Sequence, residues 1–298
     1  MNMWLILLPL AVQACDSTVY PAISSVSVSS TAVSGDGSDC SPYNSLIFVL
    51  DLVKSTGGTV LLQAPVASFP VSAVTISSTV EIKGSNHTLV LGASVTVGVA
   101  GSLTLTDVRV NGGSGLSGEG VSVVGRVVLN RCTVQGFAVP FIHLWGALEA
   151  QWGDFSSNSQ TLIRAEGLDI ALTLQGSSFT SNTGTKAAIL DYQVSALKAT
   201  AALPHITLTN LQVNLSALVP AFYIQFGLNE VPAARGLVKL AGGGYKTNAE
   251  VLVCSVVALE VRVEGGMVAG SSTGIRVIST DSPLAVTNTV FEGITGEI

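Results

Sequence analysis

Along most of this chain, apolar and polar positions follow one recurring arrangement. In Leu172-Thr-Leu-Gln-Gly-Ser-Ser-Phe179 two apolar residues flank a polar one, and a large apolar residue comes five positions after the second. The same spacing returns at Leu103/Leu105/Val110, Val127/Leu129/Val134, Leu148/Ala150/Phe155, Ile206/Leu208/Val213, Val238/Leu240/Tyr245, Val261/Val263/Val268 and Leu284/Val286/Phe291. A weaker copy starts at Val80/Ile82 and carries His87 in the third slot. The first positions 80, 103, 127, 148, 172, 206, 238, 261 and 284 lie 23, 24, 21, 24, 34, 32, 23 and 23 residues apart.

Alternation within each unit has the period of a strand, not the helical one. A repeat of about 20 to 50 residues marks a solenoid. Further alternating runs fall between the units, at Ser94–Val97, Gly120–Val124, Val251–Cys254 and Gly274–Ile278. Each turn therefore holds two or three short strands with Gly, Ser and Asn corners. Such a turn closes no core alone, but stacked on its neighbours it buries a continuous column. The expected fold is all-β: a right-handed parallel β-helix of nine rungs, roughly 40 Å long at about 4.8 Å per rung. A leucine-rich repeat would need a helix or long arc per turn, and a β-sandwich needs no single period.

Ahead of the repeat, residues 1–14 read as a signal peptide. Met3–Val12 supplies an apolar core, and Val12-Gln-Ala14 precedes a cleavage point at Cys15. A buried N-terminal strand or helix, and a lipoprotein signal acylated at Cys15, are the competing readings. Residues 15–40 form a leading segment without strong period, and 41–298 the β-helix domain. Over 41–56 the spacing predicts an amphipathic helix, with Ser41 as N-cap, Pro42 just inside, and Leu46, Phe48, Val49, Leu52 and Val53 on one face. Gly57-Gly58 ends it. Its expected task is to cover the first rung, which would otherwise expose apolar surface and unpaired backbone.

Composition narrows the function. The chain is 48% hydrophobic, 6% aromatic and 11% charged with 31 glycines, as many short strands with tight corners require. A net charge of −6 leaves no basic surface for nucleic acid. No further stretch is apolar enough to read as a membrane-spanning helix. The expected location is secreted or on the extracellular surface.

The capping helix followed by Gly57-Gly-Thr-Val-Leu-Leu62 and stacked rungs resembles the pectate-lyase-like β-helix superfamily, over roughly 41–298. Phe155-Ser-Ser-Asn158 and Phe179-Thr-Ser-Asn182 resemble the FxxN repeats of polymorphic membrane protein-type surface proteins, with Lys186–Leu190 a loose echo of the motif that follows there. In physical terms Phe fills the core and Asn turns the corner, bonding along the stack.

The pectate-lyase-like resemblance implies a polysaccharide lyase or glycoside hydrolase, which needs clustered carboxylates, or an Arg or Lys base with Ca²⁺. Residues at equal offset should be neighbours, and no such column of the sheet repeat stacks two carboxylates. Asp107, Arg131 and Asp154 are the nearest approach, with Asp107 and Arg131 expected to form an exposed ion pair. The three histidines have no metal-ligand spacing, so no metal or other cofactor is expected outside the lyase reading. The two long intervals place about ten extra residues each in 191–203 and 218–230. There Tyr192, Phe222, Tyr223 and Phe226 are candidates for stacking a sugar or a partner, or for folding back onto the rod.

Cys15 and Cys40 are a candidate disulfide. Cys132 and Cys254, five rungs apart, are expected as buried thiols. Asn86-His-Thr88 and Asn214-Leu-Ser216 are glycosylation sequons. The last repeat ends without an amphipathic cap, which raises end-to-end association through that rung. The leading expectation is a non-catalytic secreted or cell-surface protein for adhesion, structure or glycan contact, with glycans or surface proteins as partners. The lyase or hydrolase reading, and a fragment of a larger surface scaffold, stand beside it.

Overall fold

The computed structural model describes residues 25–29, 45–63, 68–84, 87–196, 203–228, 235–256, 259–270, 274–279 and 283–294. The expectations for 1–14, Cys15, Cys40 and Asn86 lie outside them.

The chain winds through three parallel sheets as a β-solenoid. A rung runs from a strand of sheet A, such as Ala147–Gln151, to sheet B at Asp154–Ser156 and sheet C at Ile163–Ala165, then re-enters sheet A at Ala171–Gln175. Sheets A, B and C hold eleven, ten and nine strands. Rungs stack in register, with Val127, Leu148 and Leu172 aligned in sheet A and Val134, Phe155 and Phe179 in sheet B.

That register makes the three apolar slots of each unit one core. Leu148, Ala150, Leu172, Leu174, Phe155 and Phe179 are all buried, and the Phe155 and Phe179 rings stack with centroids 4.9 Å apart. The residues between them point outward, as the two-residue period of a strand requires. The weak copy differs from expectation. Leu89, not His87, aligns with Val110 and fills the interior, because that rung's corner is two residues longer.

Between sheets A and B the chain turns on a left-handed residue, followed on two rungs by a second positive-φ glycine, Gly243 or Gly266. Asp107, Arg131, Trp152, Gly176, Asn210, Gly242, Gly265 and Asn288 occupy this corner with φ between 51° and 62° or, at Gly265, 68°. From Asp107 to Gly265 each N–H donates to the carbonyl of the rung above it, for example Trp152 N to Gln175 O at 2.9 Å and Gly176 N to Thr209 O at 2.9 Å. The backbone groups of the corner are thereby satisfied.

After sheet B the FxxN asparagines are buried and form a ladder. Asn158 Nδ2 donates to Asn182 Oδ1 at 2.9 Å, Phe137 N donates to Asn158 Oδ1 at 3.0 Å, and Asn182 Nδ2 donates to Phe155 O at 2.7 Å. An amide has two donors and an acceptor, so Asn158 bonds to the rungs on both sides of its own.

The two long intervals do not simply project as loops. The sheet C strands Leu190–Ala196 and Phe222–Leu228 have seven residues each where Ile163–Ala165 has three, so much of the excess widens the sheet. Residues 197–202 and 229–234 lie outside the described set.

At the N-terminal end the helix spans Leu46–Val53, with Ser45 rather than Ser41 as N-cap: Phe48 N donates to Ser45 Oγ at 3.4 Å. Leu46, Val49, Leu50 and Val53 are buried while Phe48 is exposed, so the inward stripe is rotated from the expected one. Leu50 lines a small apolar cavity together with Ile76, Ile82 and Leu105 of the first rungs, so the helix covers them as expected. The leading segment also contributes: Ser25–Ser29 adds a parallel strand to Gly58–Gln63. In the last described rung, Leu284 and Val286 continue the inward columns of Val261 and Val263 but are exposed, at 49% and 43%.

Candidate functional site

Strand parity in sheet C decides which side chains can meet a ligand. Leu190, Tyr192 and Val194 alternate with Asp191 and Gln193, and Phe222, Ile224 and Phe226 with Tyr223 and Gln225. Tyr192, Phe222 and Phe226 are fully buried in the widened core. Tyr192 and Phe226 stack at 6.0 Å, Phe222 meets Tyr245 edge-on at 6.5 Å, and the Tyr192 hydroxyl donates to Gly167 O at 2.9 Å. Three of the four expected stacking aromatics are therefore core residues. Only Tyr223 lies on the outer face.

That outer face carries a different constellation. Register aligns His143, Arg164, Asp191 and Tyr223 in one column over four rungs. The next outward column holds Trp145, Glu166, Gln193 and Gln225. Arg164, Glu166, Asp191 and Gln193 of these columns, with Lys186 and Gln160 at the corner from sheet B, line a groove of about 440 Å³.

Its polar groups are linked within each rung, and His143 and Glu166 approach across two. Arg164 Nη2 lies 2.5 Å from Glu166 Oε1, and His143 Nε2 lies 3.3 Å from Glu166 Oε2. Lys186 Nζ donates to Gln193 Oε1 at 2.6 Å, and Gln193 Nε2 donates to Asp191 Oδ1 at 2.6 Å. The His143 ring is held against Trp145, centroids 3.6 Å apart. Although Nε2 is close to Glu166, their orientation falls short of a hydrogen bond, and this buried nitrogen has no hydrogen-bond partner. Such an atom is normally satisfied in a folded protein, and here the Glu166 carboxylate beside it is the nearest polar group. Sequence reasoning missed this groove because it aligned only the sheet A columns.

The expected catalytic trio is placed differently. Arg131 donates to both Asp107 oxygens, from Nε and Nη2 at 2.7 Å each, on the exposed A–B corner. That hydrogen bond holds the Asp107 carboxyl below the usual carboxylate range and pushes the Arg131 guanidinium further up. An arginine held as a cation in this way is a poor base. Asp154 stands exposed on the outer face of sheet B, in register with Thr133 and Ser178.

Asn214 is exposed on the outer face of its strand, two residues before exposed Ser216. Cys132 and Cys254 are buried free thiols, and burial pushes the Cys132 thiol up to about 11. Among the described residues no group of three or more His, Cys, Asp or Glu is placed to hold a metal ion. Nor is any described helix long and apolar enough to cross a membrane. No protein-family model matches the chain, and no curated protein matches it in sequence.

Proposed function

We propose that this β-solenoid is a non-catalytic secreted or cell-surface protein that holds a glycan in the groove on sheet C. The observation carrying this reading is the cross-rung set of Arg164, Glu166, Lys186, Asp191 and Gln193 around a groove of about 440 Å³. Sugar hydroxyls both donate and accept, and this wall offers both roles side by side: guanidinium, ammonium and amide donors beside carboxylate acceptors. Most of these side chains are already ordered by their mutual bonds, so less conformational freedom is lost on binding.

The test is titration of the purified chain with acidic and neutral polysaccharides, with Arg164→Ala and Asp191→Ala in parallel. Saturable binding lost in both variants, with no new chain ends, is the expected result. Absence of binding to the whole panel by a folded protein overturns the reading.

A second reading is favoured by one observation. Glu166 and Asp191 stand on adjacent rungs, and His143 is beside Glu166. Paired acid and base groups are what a glycoside hydrolase or polysaccharide lyase of the pectate-lyase-like type requires. New reducing or unsaturated ends, abolished by Glu166→Gln, would establish it. The calcium-assisted form of lyase chemistry does not fit the described donor set, which offers no group of three suitable side chains.

A further inference from the structure

A second site stands apart from that groove, at the A–B corner. Trp152 has φ 56°, in the left-handed region where a bulky side chain is strained. Five other rungs fill this corner with Gly or Asn, namely Gly176, Asn210, Gly242, Gly265 and Asn288, and two with the hydrogen-bonded pair Asp107 and Arg131. Nor does burial explain the indole, because Trp152 is 59% exposed. A large aromatic at a strained position with little burial in return points to use.

The surroundings define what that use can be. The indole leans over the next rung, into space left free only because Gly176 has no side chain; a Cβ there would lie 2.4 Å from Cε3 and Cζ3. On the preceding rung the corner is Arg131, clamped by its two bonds to Asp107. On the sheet A side Gln151 and Gln175 are aligned neighbours, and Gln151 is bonded to Glu149. Asp154 begins the sheet B side. An apolar ring face is thus bordered by amides, carboxylates and one compensated cation.

We propose that Trp152 is a stacking platform for an uncharged pyranose residue. The apolar C–H face of the sugar covers the indole, and its hydroxyls reach the amides and carboxylates around it. A peptide partner would call for a wider apolar patch, and an anion for an uncompensated cation. The site lies before the sheet B strand Asp154–Ser156 and the groove's corner after it, and the site stands whether or not the groove holds a glycan.

The test follows the Trp152 indole N–H signal by NMR in the full chain during titration with maltotriose, cellotriose, mannotriose and chitotriose. The signal is assigned by its loss in Trp152→Asn. Asparagine already occupies this corner at two rungs, so that variant keeps its melting temperature. Expected are a saturable shift with at least one trisaccharide, at least tenfold weaker binding in Trp152→Asn, and unchanged binding at this site in Arg164→Ala. Gly176→Ala displaces the ring and weakens binding too. No shift with any of the four, or binding undiminished in Trp152→Asn, overturns the proposal.

Discussion

Asn158 shows how much one side chain can hold. Its amide touches three rungs, and its replacement strands Phe137 N and one Asn182 oxygen bond inside the protein. Leaving such groups unpaired costs about 1–3 kcal/mol each, so Asn158→Ala should lower the denaturant midpoint well beyond Asp107→Asn. The latter breaks only an exposed pair, which contributes little. Titration adds a second residue-scale expectation. The buried Cys132 thiol is raised from 9.0 to about 11, and burial raises Cys254, Tyr192 and Tyr245 as well. Above pH 9 the unfolded thiol loses its proton while the folded one keeps it. Stability is therefore full below about pH 9 and falls as pH rises towards 11, which melting curves at stepped pH will read. Folded Cys132 should also resist a thiol reagent at pH 8 and react on unfolding. The Phe and Asn roles could be read from FxxN itself, since a large ring suits a core slot and an amide a corner. The parity of Tyr192 could not be read without a strand start, and one residue's slip turns a core ring into a surface ring.

At the scale of elements, the capping helix was legible from its stripe, but its start was not. Ser41 and Ser45 both offer a hydroxyl ahead of apolar residues, and only the backbone decides which one caps. Ser45→Ala should cost about 1 kcal/mol, and Leu50→Ala about 2–5 kcal/mol, because Leu50 fills the end of the core. Urea unfolding followed by circular dichroism separates the two. Sheet A was readable throughout because its strand-to-corner length never changes after Leu103. Sheet C was not: its first aligned residue follows the first sheet A residue by 18 positions from 103 to 121, but by 15 from 127 to 142. With that corner variable in length, no fixed offset brings His143, Arg164 and Asp191 together on paper. The groove becomes visible only when hydrogen-bond register is known.

Across the whole molecule the two ends of the solenoid differ. A helix covers the first rungs, whereas Leu284, Val286 and Val290 are exposed on the last described one. Truncation should therefore cost less on that rung: Val286→Ala is expected to lower the urea midpoint less than Leu50→Ala, because Val286 is 43% exposed and Leu50 is buried.

In-register stacking also makes the length of this protein divisible. Leu148 and Leu172 sit at equivalent points one rung apart, so excising residues 148–171 would let Ala147 run directly into Leu172 without a change of face. Val127 would then lie beneath Leu172 and Val134 beneath Phe179, while Asn182 would inherit the bond that Asn158 makes to Phe137. The shortened chain should keep its β spectrum and lose about 4.8 Å of length. A cut that does not join equivalent positions would leave two half-turns that do not meet. In that sense the sequence is graduated like a rule, and it can be shortened only at its marks.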